Sequence, residues 1–429
     1  MGSWRERLRR VSFGRALAAI SAAGLAIRVA YVLAITDRLQ VGLDSTWYQL
    51  VGGSIAENKG FVDPENLYLR QVSVPTAFRP PLYPLFLAGV NRTFGDSART
   101  FQLAGCAVGV LTVVLIGYLG RRVGGKAVGL CAAALAAVYP IFLAVDAAVM
   151  SETLYVPLVA GCVLAVYRAM ERATALRWAL VGLLAGAAIL TRGDGVVLLI
   201  VMVVPAALFG VKAPWRRRAL LAVTPLVVAG LVVAPWVIRN NARLGTPAVA
   251  TLQTGTALAG ANCDATYYGE ILGSWSYECT IREDRTTASE NAYNNELQRD
   301  GRHYIVDHIG RLAVVVAPLR VLRQWSLYDP INGARFEAVE SRNYKWQLLS
   351  WIAYLPVALL AVYGLLLIRR RGRVPLLPLV AVIVTVTLTG AMIYGQQRLR
   401  VSVEPVLVVA ASVAIVHVAK RVRFLNPAR

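Results

Sequence analysis

Long apolar runs recur along this chain and constrain its fold more than any other feature. Ten runs approach 20 residues, and polar connections separate them. A run of about 20 apolar residues matches the hydrocarbon core of a bilayer, which is about 30 Å thick. Backbone polar groups in lipid must be paired internally, so such runs span as helices. The sequence therefore predicts an all-α polytopic membrane protein with about ten transmembrane helices. The predicted spans are 14–36, 101–120, 127–146, 150–168, 177–191, 195–211, 218–238, 347–368, 374–394 and 401–419.

The positive charge of the chain is concentrated at the ends of these runs. The formal net charge is +21, and six short clusters hold 23 of the 45 Lys and Arg residues but only two acids. The clusters are 1–15, 121–126, 168–177, 212–218, 369–373 and 420–429. The rest of the chain is electrically balanced, which excludes a nucleic-acid partner. Because Lys and Arg in short loops mark the cytoplasmic side, all six clusters and both termini are predicted to be cytoplasmic.

Two stretches allow more than one interpretation. Residues 177–212 can form two short spans around Thr191-Arg192-Gly193-Asp194 or a single span. The hairpin is preferred because a single span would place two basic clusters on the outer side. Residues 1–36 resemble a signal peptide, but the apolar run is long and no convincing cleavage site follows, which favours an uncleaved anchor.

The spans divide the chain into three predicted parts. Residues 1–238 form an N-terminal transmembrane core that includes a first outer loop, 37–100. Residues 239–346 form an extracytoplasmic cap of mixed polarity, and 347–429 carry the C-terminal transmembrane helices. Within the outer segments, amphipathic helices are expected over 46–56 and 80–94, lying in the membrane interface. The apolar stretch 312–321 is too short to span and predicts a buried or interfacial helix.

The five cysteines fall into two groups. Cys106, Cys131 and Cys162 lie in predicted spans, where a cysteine usually packs as a small apolar residue. Cys263 and Cys279 lie in the cap, in a compartment where disulfides persist, and are predicted to be bonded to each other. No Cys/His spacing typical of a zinc site is present.

Charged residues gather on or near the predicted outer face. They are Asp44, Arg79, Asp146, Glu152, Arg192, Asp194, Arg239, Arg398, Arg400 and Glu404. Charges close to hydrocarbon are energetically expensive, so such a gathering predicts a functional site. Arg28, inside the first span, is expected to face protein or water. It could have a functional role, form a structural pair or extend its guanidinium to the membrane surface.

Two of these residues have an obvious chemical use. Asp44 could accept a proton from an attacking hydroxyl, although it could also simply cap a helix that starts near Ser45. Arg79 precedes Pro80-Pro81, which restricts the backbone, and its guanidinium could bind a phosphate through paired hydrogen bonds. Contact with lipid headgroups is the alternative for Arg79.

The remaining candidates also keep alternatives open. Glu152, after Ser151, could be a second catalytic acid or could only complement a helix N-terminus. Asp146 competes for the role of second acid. Arg398 and Arg400 lie on the outer face against the inside bias, which indicates an anionic partner or lipid headgroups.

In this order, these residues resemble the bacterial GT-C membrane glycosyltransferases, which include protein mannosyltransferases, aminoarabinose transferases of lipid A and transferases of lipopolysaccharide core sugars. The elements that carry the resemblance are Asp44, Arg79-Pro80-Pro81-Leu82-Tyr83-Pro84-Leu85-Phe86-Leu87, Ser151-Glu152, Thr191-Arg192, Pro235-Trp236, Arg239-Asn240 and Arg398-Leu399-Arg400.

The resemblance implies an inverting transfer of a hexose or pentose from a polyprenyl-phosphate sugar to a glycan, lipid or protein acceptor. The site would face outward from a bacterial inner membrane. The implied roles are catalytic for Asp44 and Glu152, donor-phosphate binding for Arg79, Arg398 and Arg400, and substrate-pocket lining for Tyr83, Asp146, Arg192 and Arg239. Dependence on a divalent metal is left open. A lipid-linked sugar flippase or a noncatalytic assembly subunit would share the charge pattern, but a flippase predicts polar residues at mid-bilayer and paired half-repeats, which the sequence lacks.

Overall fold

The computed structural model describes residues 12–36, 42–281, 289–340 and 342–425. The first eleven residues of the N-terminal basic cluster, residues 37–41 of the first outer loop and the last four residues lie outside these ranges. The described part consists of helices and connections, with one isolated bridge between Val62 and Pro75. The predicted all-α class is confirmed.

Nineteen helices of this part are numbered here in chain order. They are α1 (Phe13–Ile35), α2 (Leu43–Ala56), α3 (Pro64–Arg70), α4 (Leu82–Phe94), α5 (Ala98–Gly124), α6 (Lys126–Val138), α7 (Pro140–Ala147), α8 (Glu152–Glu171), α9 (Ala175–Thr191), α10 (Gly195–Phe209), α11 (Trp215–Leu244), α12 (Thr254–Ala261), α13 (Asp264–Tyr267), α14 (Glu290–Asp307), α15 (Ala317–Gln324), α16 (Pro330–Val339), α17 (Tyr344–Arg371), α18 (Leu377–Met392) and α19 (Gln397–Val422).

The chain is a multi-pass membrane protein. Among the described helices, α1, α5, α8, α11, α17 and α19 are long and apolar enough to cross a bilayer, and the pair α6 and α7, bent by 55°, is a seventh candidate. Each of the ten predicted spans coincides with a helix or with this pair. However, α9, α10 and α18 have only 10–17 residues, short of the roughly 20 that a straight span needs. The predicted count of about ten is therefore not confirmed.

Local sequence signals determine where the long helices begin and end. The Ser97 hydroxyl accepts a hydrogen bond from the Thr100 N–H at 3.1 Å, which caps the first turn of α5. Gly125 follows with a φ of +85°, a conformation that favours glycine, and ends α5. Pro140 then interrupts the next apolar run and produces the bend between α6 and α7.

Glycines allow the transmembrane helices to approach closely. A Cβ atom on Gly364 of α17 would lie 1.8 Å from the carbonyl oxygen of Ala410 in α19, and one on Gly182 of α9 would lie 2.6 Å from that of Pro225 in α11. Small residues at helix contacts are typical of membrane packing, where close backbone approach supplies much of the attraction.

Segments 37–100 and 239–346 pack on each other and contribute walls to the cavity described below. The Leu252 N–H donates to the Ala77 carbonyl at 2.8 Å, and Arg239 donates to the carbonyls of Thr76 at 2.6 Å and Phe61 at 2.7 Å. These bonds hold the loop that ends at Arg79 against the cap.

The short apolar stretch of the cap is helical. It consists of a π-helical turn, Leu312–Val316, followed by α15. Val316 is completely buried, whereas Val314 is 77% exposed. One side of this segment therefore packs against the protein and the other is open.

Candidate active site

Asp44 lies in the first turn of α2, where the helix dipole favours a carboxylate. Gly42 occupies the N-cap position, so the alternative that Asp44 caps this helix is wrong. The Asp44 side chain is only 14% exposed, and each of its oxygens accepts a hydrogen bond from a different arginine. It is therefore a partly buried anion held between two cations.

The first of these arginines is Arg79, which donates through Nη2 to Asp44 Oδ1. Pro80 and Pro81 follow it and lead directly into α4, so that the backbone direction at Arg79 is restricted. The rings of Trp47, Tyr48 and Phe78 surround its guanidinium at 5.0 to 5.6 Å. These contacts limit where the guanidinium can move.

The second arginine is Arg398, from the opposite end of the chain. Its Nη1 donates to Asp44 Oδ2 at 2.9 Å across 354 residues of sequence. The backbone N–H of Arg398 donates to Glu337 Oε1 at 2.9 Å, which fixes the turn at the start of α19 to the cap.

These contacts control the proton affinity of Asp44. Burial alone would raise its pKa, but the Coulomb attraction and hydrogen bonds of Arg79 and Arg398 outweigh burial and lower the pKa to about 2. Asp44 therefore carries its negative charge at neutral pH, and it is a weak base while both arginines hold it.

A second charged group lies in the same region. Arg192, in the loop between α9 and α10, donates to Glu152 Oε1 at 2.8 Å and to Asp194 Oδ1 at 3.2 Å. Ser151 occupies the N-cap position of α8 but makes no capping hydrogen bond through its side chain. Glu152 is thus more than a partner of the helix dipole, because it also forms a buried ion pair.

The connection before Glu152 has an unusual backbone conformation. Val149 is buried and has a φ of +51°, in the left-handed region that β-branched residues avoid. Such a conformation costs on the order of 1–3 kcal/mol and requires support from the surrounding structure. In this turn it leads into Met150, Ser151 and Glu152.

One cavity of about 480 Å³ joins the two charged groups. Its polar wall includes Asp44, Arg79, Glu152, Arg192 and Arg398. Another part of its lining is apolar, and includes Val196, Val197, Val249, Met392, Ile393 and Leu399. The cavity can therefore accommodate a ligand with a charged head and an apolar portion.

Several polar atoms of this cavity have no hydrogen-bond partner. Buried and unpaired are Arg79 Nε, Arg398 Nε, Glu152 Oε2, Glu340 Oε2 and Gln396 Oε1. Leaving such an atom unpaired costs about 1–3 kcal/mol, more for a charged group. Donors and acceptors that remain unpaired around one cavity are typical of a ligand site.

Four predicted site residues do not line this cavity. Tyr83 is buried and packs edge-on against Tyr48, with ring centroids 5.0 Å apart. Arg239 supports the loop that carries Arg79, as described above. Arg400 donates to Glu404 Oε1 at 2.8 Å, and its guanidinium lies 3.5 Å from the ring centroid of Tyr354.

Asp146 is the fourth predicted site residue that does not line the cavity. It forms a buried ion pair with Arg28, whose Nε lies 2.7 Å from Asp146 Oδ2. Arg28 also donates to the carbonyl oxygens of Gly24 and Ala137 at 3.2 and 3.1 Å. Of the interpretations open for Arg28, the contacts match the structural pair, because the guanidinium is satisfied by protein groups.

Many residues of the cavity were not identified from the sequence. Glu340, at the end of α16, lies 3.9 Å from Arg398 Nη1. Burial and the negative charge of Asp44 raise the pKa of Glu340. Trp275 and Gln396 also line the cavity. Glu340 lies just before a predicted span on the outer side, which was the only sequence signal for it.

The cysteines of the cap are bonded to each other. Cys263 and Cys279 form a disulfide with Cα atoms 6.4 Å apart, while Cys106, Cys131 and Cys162 are free. Among the described residues, no group of three or more His, Cys, Asp or Glu side chains could hold a metal ion.

Residues 78–238 match the profile of the dolichyl-phosphate-mannose-protein mannosyltransferase family. A search of the curated proteins finds no match.

Three solved structures are similar to this chain. The archaeal oligosaccharyltransferase AglB from Archaeoglobus fulgidus, in complex with an inhibitory peptide and a dolichol-phosphate, aligns with 100% of this chain and 52% of its own, at 17% identity and a TM-score of 0.57. The same enzyme tethered to an acceptor peptide gives 14% identity and a TM-score of 0.55, covering 97% of this chain and 51% of its own. ArnT from Cupriavidus metallidurans, bound to undecaprenyl phosphate, is 14% identical over 94% of this chain and 77% of its own, with a TM-score of 0.42.

The family profile and the fold shared with AglB confirm the resemblance to the GT-C membrane glycosyltransferases. The chain spans about half the length of the archaeal enzyme. At this identity the structural likeness establishes the fold.

Proposed function

We propose that this chain is a membrane enzyme that transfers one sugar from a polyprenyl-phosphate donor to a hydroxyl group of a glycan, lipid or protein acceptor. The observation that carries the proposal is the meeting of Asp44, Arg79 and Arg398 in a cavity with an apolar wall. A donor of this class combines a phosphate, which two guanidinium groups bind well, with a long apolar tail. The family profile and the AglB fold support the same class of donor.

The proposed reaction is a single displacement. An acceptor oxygen attacks the anomeric carbon and loses its proton to Asp44, while the bond from that carbon to the phosphate oxygen breaks and the polyprenyl phosphate leaves with the electron pair. Arg79 and Arg398 stabilise the charge that develops on the leaving phosphate, which is where preorganised cations contribute most. The anomeric configuration is inverted.

The two arginines also link donor binding to the basicity of Asp44. At rest they hold the carboxylate and keep its pKa at about 2. A bound phosphate attracts the same guanidinium groups, so Asp44 loses part of its stabilisation and its pKa rises. In this proposal the base becomes effective only once the donor is bound.

Glu152 and Arg192 would hold the transferred sugar. The unpaired Oε2 of Glu152 can accept a hydrogen bond from a sugar hydroxyl, while Oε1 stays on Arg192. We further propose that the site faces outward from a bacterial inner membrane with both termini cytoplasmic, and that residues 239–346 form a cap over it. The distribution of basic clusters supports this orientation.

Deletion of the gene tests the function whatever the identity of the sugar. The deletion strain should lack one sugar in an envelope glycan, lipid or protein and accumulate the matching lipid-linked sugar, as measured by mass spectrometry. Wild-type protein should reverse both changes, Asp44→Asn should reverse neither, and the exposed-site control Asp96→Asn should behave as wild type. Full reversal by Asp44→Asn would exclude Asp44 as the base, and unchanged envelope and lipid-linked sugars would exclude the transferase.

A further inference from the structure

A second cavity lies beside the one that contains Asp44. Its volume is about 360 Å³, within the range of small-molecule sites. The walls come from the cap around Ile271, from α16 and from the turn that precedes α19. Phe336 and Gln396 line both cavities, so the second cavity adjoins the proposed reaction centre.

Hydrogen bonds attach the walls of this cavity to the turn that carries Arg398. Gln397 Nε2 donates to the carbonyl oxygen of Pro330 at 3.1 Å, and Glu337 accepts the backbone N–H of Arg398. The other oxygen of Glu337 accepts a hydrogen bond from Arg342 at 2.6 Å. A molecule in this cavity would therefore be held at a fixed position relative to Arg398.

The charges of the lining disfavour an anionic ligand. Three carboxylates, Glu270, Asp329 and Glu337, line it together with two arginines, Arg323 and Arg335. Arg323 is already engaged, because it donates to the Leu272 carbonyl at 2.6 Å and pairs with Asp329 at 3.1 Å. No surplus of positive charge remains to attract a phosphate or carboxylate.

The remaining groups suit a neutral molecule with many hydroxyls. Gln396 is only 6% exposed, and its Oε1 has no hydrogen-bond partner. Asn332 and Arg335 offer further polar groups, and Tyr328 and Phe336 supply rings. Sugar hydroxyls both donate and accept hydrogen bonds, and the C–H face of a sugar ring packs against aromatic rings.

We infer that this second cavity is the acceptor subsite and that it holds a neutral sugar residue of a glycan. The inference rests on the proposed transferase function and specifies its acceptor class. The cavity suits a peptide acceptor less well, because the described part of the chain offers no strand edge with which an extended peptide could pair. A lipid tail would leave the polar lining unpaired.

Saccharide binding to the full-length protein in nanodiscs tests the inference. The probes are neutral methyl glycosides and disaccharides of the common hexoses and pentoses, measured by saturation-transfer difference NMR, with a Ser/Thr-containing hexapeptide as the competing class. Undecaprenyl phosphate binding is measured separately. Wild type should bind at least one saccharide and not the peptide.

Variants then locate the binding site. Asn332→Ala and Arg335→Ala alter exposed side chains of α16, and Asn295→Ala and Arg299→Ala are matched controls on exposed positions of α14. The α16 variants should weaken saccharide binding by about tenfold. The controls should not, and none of the four should alter undecaprenyl phosphate binding.

Gly333→Ala distinguishes a loss of saccharide binding from a loss of stability. Its Cβ would lie 3.2 Å from Gln397 Nε2 and reduce the cavity, although alanine is the better helix former. Saccharide binding should weaken while the melting temperature does not fall.

Three results would overturn the inference. If wild type binds undecaprenyl phosphate but no saccharide, or binds the peptide instead, the acceptor assignment is wrong and the transferase proposal stands. Saccharide binding that survives all three α16 substitutions would place the acceptor elsewhere. If wild type fails to bind undecaprenyl phosphate, the transferase proposal fails, and the acceptor role of the cavity fails with it.

Discussion

The substitution Asp44→Asn separates two roles of one carboxylate. Asparagine has nearly the same size as aspartate but no charge, so it removes both the proposed base and the anion that occupies Arg79 and Arg398. We expect turnover to be lost while polyprenyl phosphate binds more tightly than in wild type. A residue that only supported the fold would not strengthen ligand binding when replaced.

The structure indicates the size of the effect. The two arginines lower the pKa of Asp44 from 3.8 to about 2 in spite of burial. At about 1.4 kcal/mol per pKa unit, their attraction exceeds the cost of burial by about 2 kcal/mol. A phosphate that uses the same guanidinium groups must weaken this attraction in wild type but not in Asp44→Asn. We therefore expect the affinity for undecaprenyl phosphate to increase on the order of tenfold.

Thermal unfolding in nanodiscs provides the assay. Without ligand, Asp44→Asn should melt at a lower temperature than wild type, because the buried guanidinium of Arg79 loses its anionic partner, at a cost of up to about 3–5 kcal/mol. With undecaprenyl phosphate, the increase in melting temperature should be larger for the variant than for wild type, since the phosphate replaces the missing anion. Asp96→Asn, which changes an exposed acid, serves as the matched control.

Two outcomes would refute this reasoning. An equal or smaller ligand-induced increase in Asp44→Asn would show that the phosphate does not bind at the arginines that hold Asp44. If undecaprenyl phosphate raises the melting temperature of Arg398→Gln as much as that of wild type, the phosphate does not bind at Arg398.

Three further predictions concern groups around the site. Burial raises the pKa of Glu340, so the stability that its protonated form contributes is present below pH 4.5 and is lost as pH rises through its folded-state pKa. The melting temperature of Glu340→Gln should therefore equal that of wild type near pH 4 and exceed it at pH 7. Cys263→Ser opens a 16-residue loop and should lower the free energy of unfolding by about 3 kcal/mol, a loss that reducing agent should reproduce in wild type but not add to in the variant. Arg28→Met should destabilise the protein by about 3–5 kcal/mol because it leaves the buried Asp146 charge unpaired, and a double variant that also carries Asp146→Leu should recover much of that loss in thermal unfolding.

The comparison between Arg398 and Arg400 shows where sequence reasoning stopped. Both precede an apolar run on the predicted outer side, and the sequence predicts phosphate binding for both. In a helical turn, residues two positions apart point to nearly opposite sides. Arg398 consequently reaches Asp44, whereas Arg400 turns into the helix bundle toward Glu404.

The acids show a similar division. Asp44 and Glu152 line the cavity, while Asp146, only six residues before Glu152, does not line it and pairs with Arg28. Glu340 had no motif around it and was missed. Its importance comes from its position at the end of α16, 3.9 Å from Arg398.

The sequence by itself determined the membrane class, the all-helical architecture and the set of polar residues from which a site could be built. Apolar run length and the placement of charge are local properties, and the bilayer acts on each segment separately. Which polar residues meet was decided only in the tertiary structure. Asp44 and Arg398 are 354 positions apart, and helix rotation and packing between distant segments, which no local pattern records, bring them to 2.9 Å.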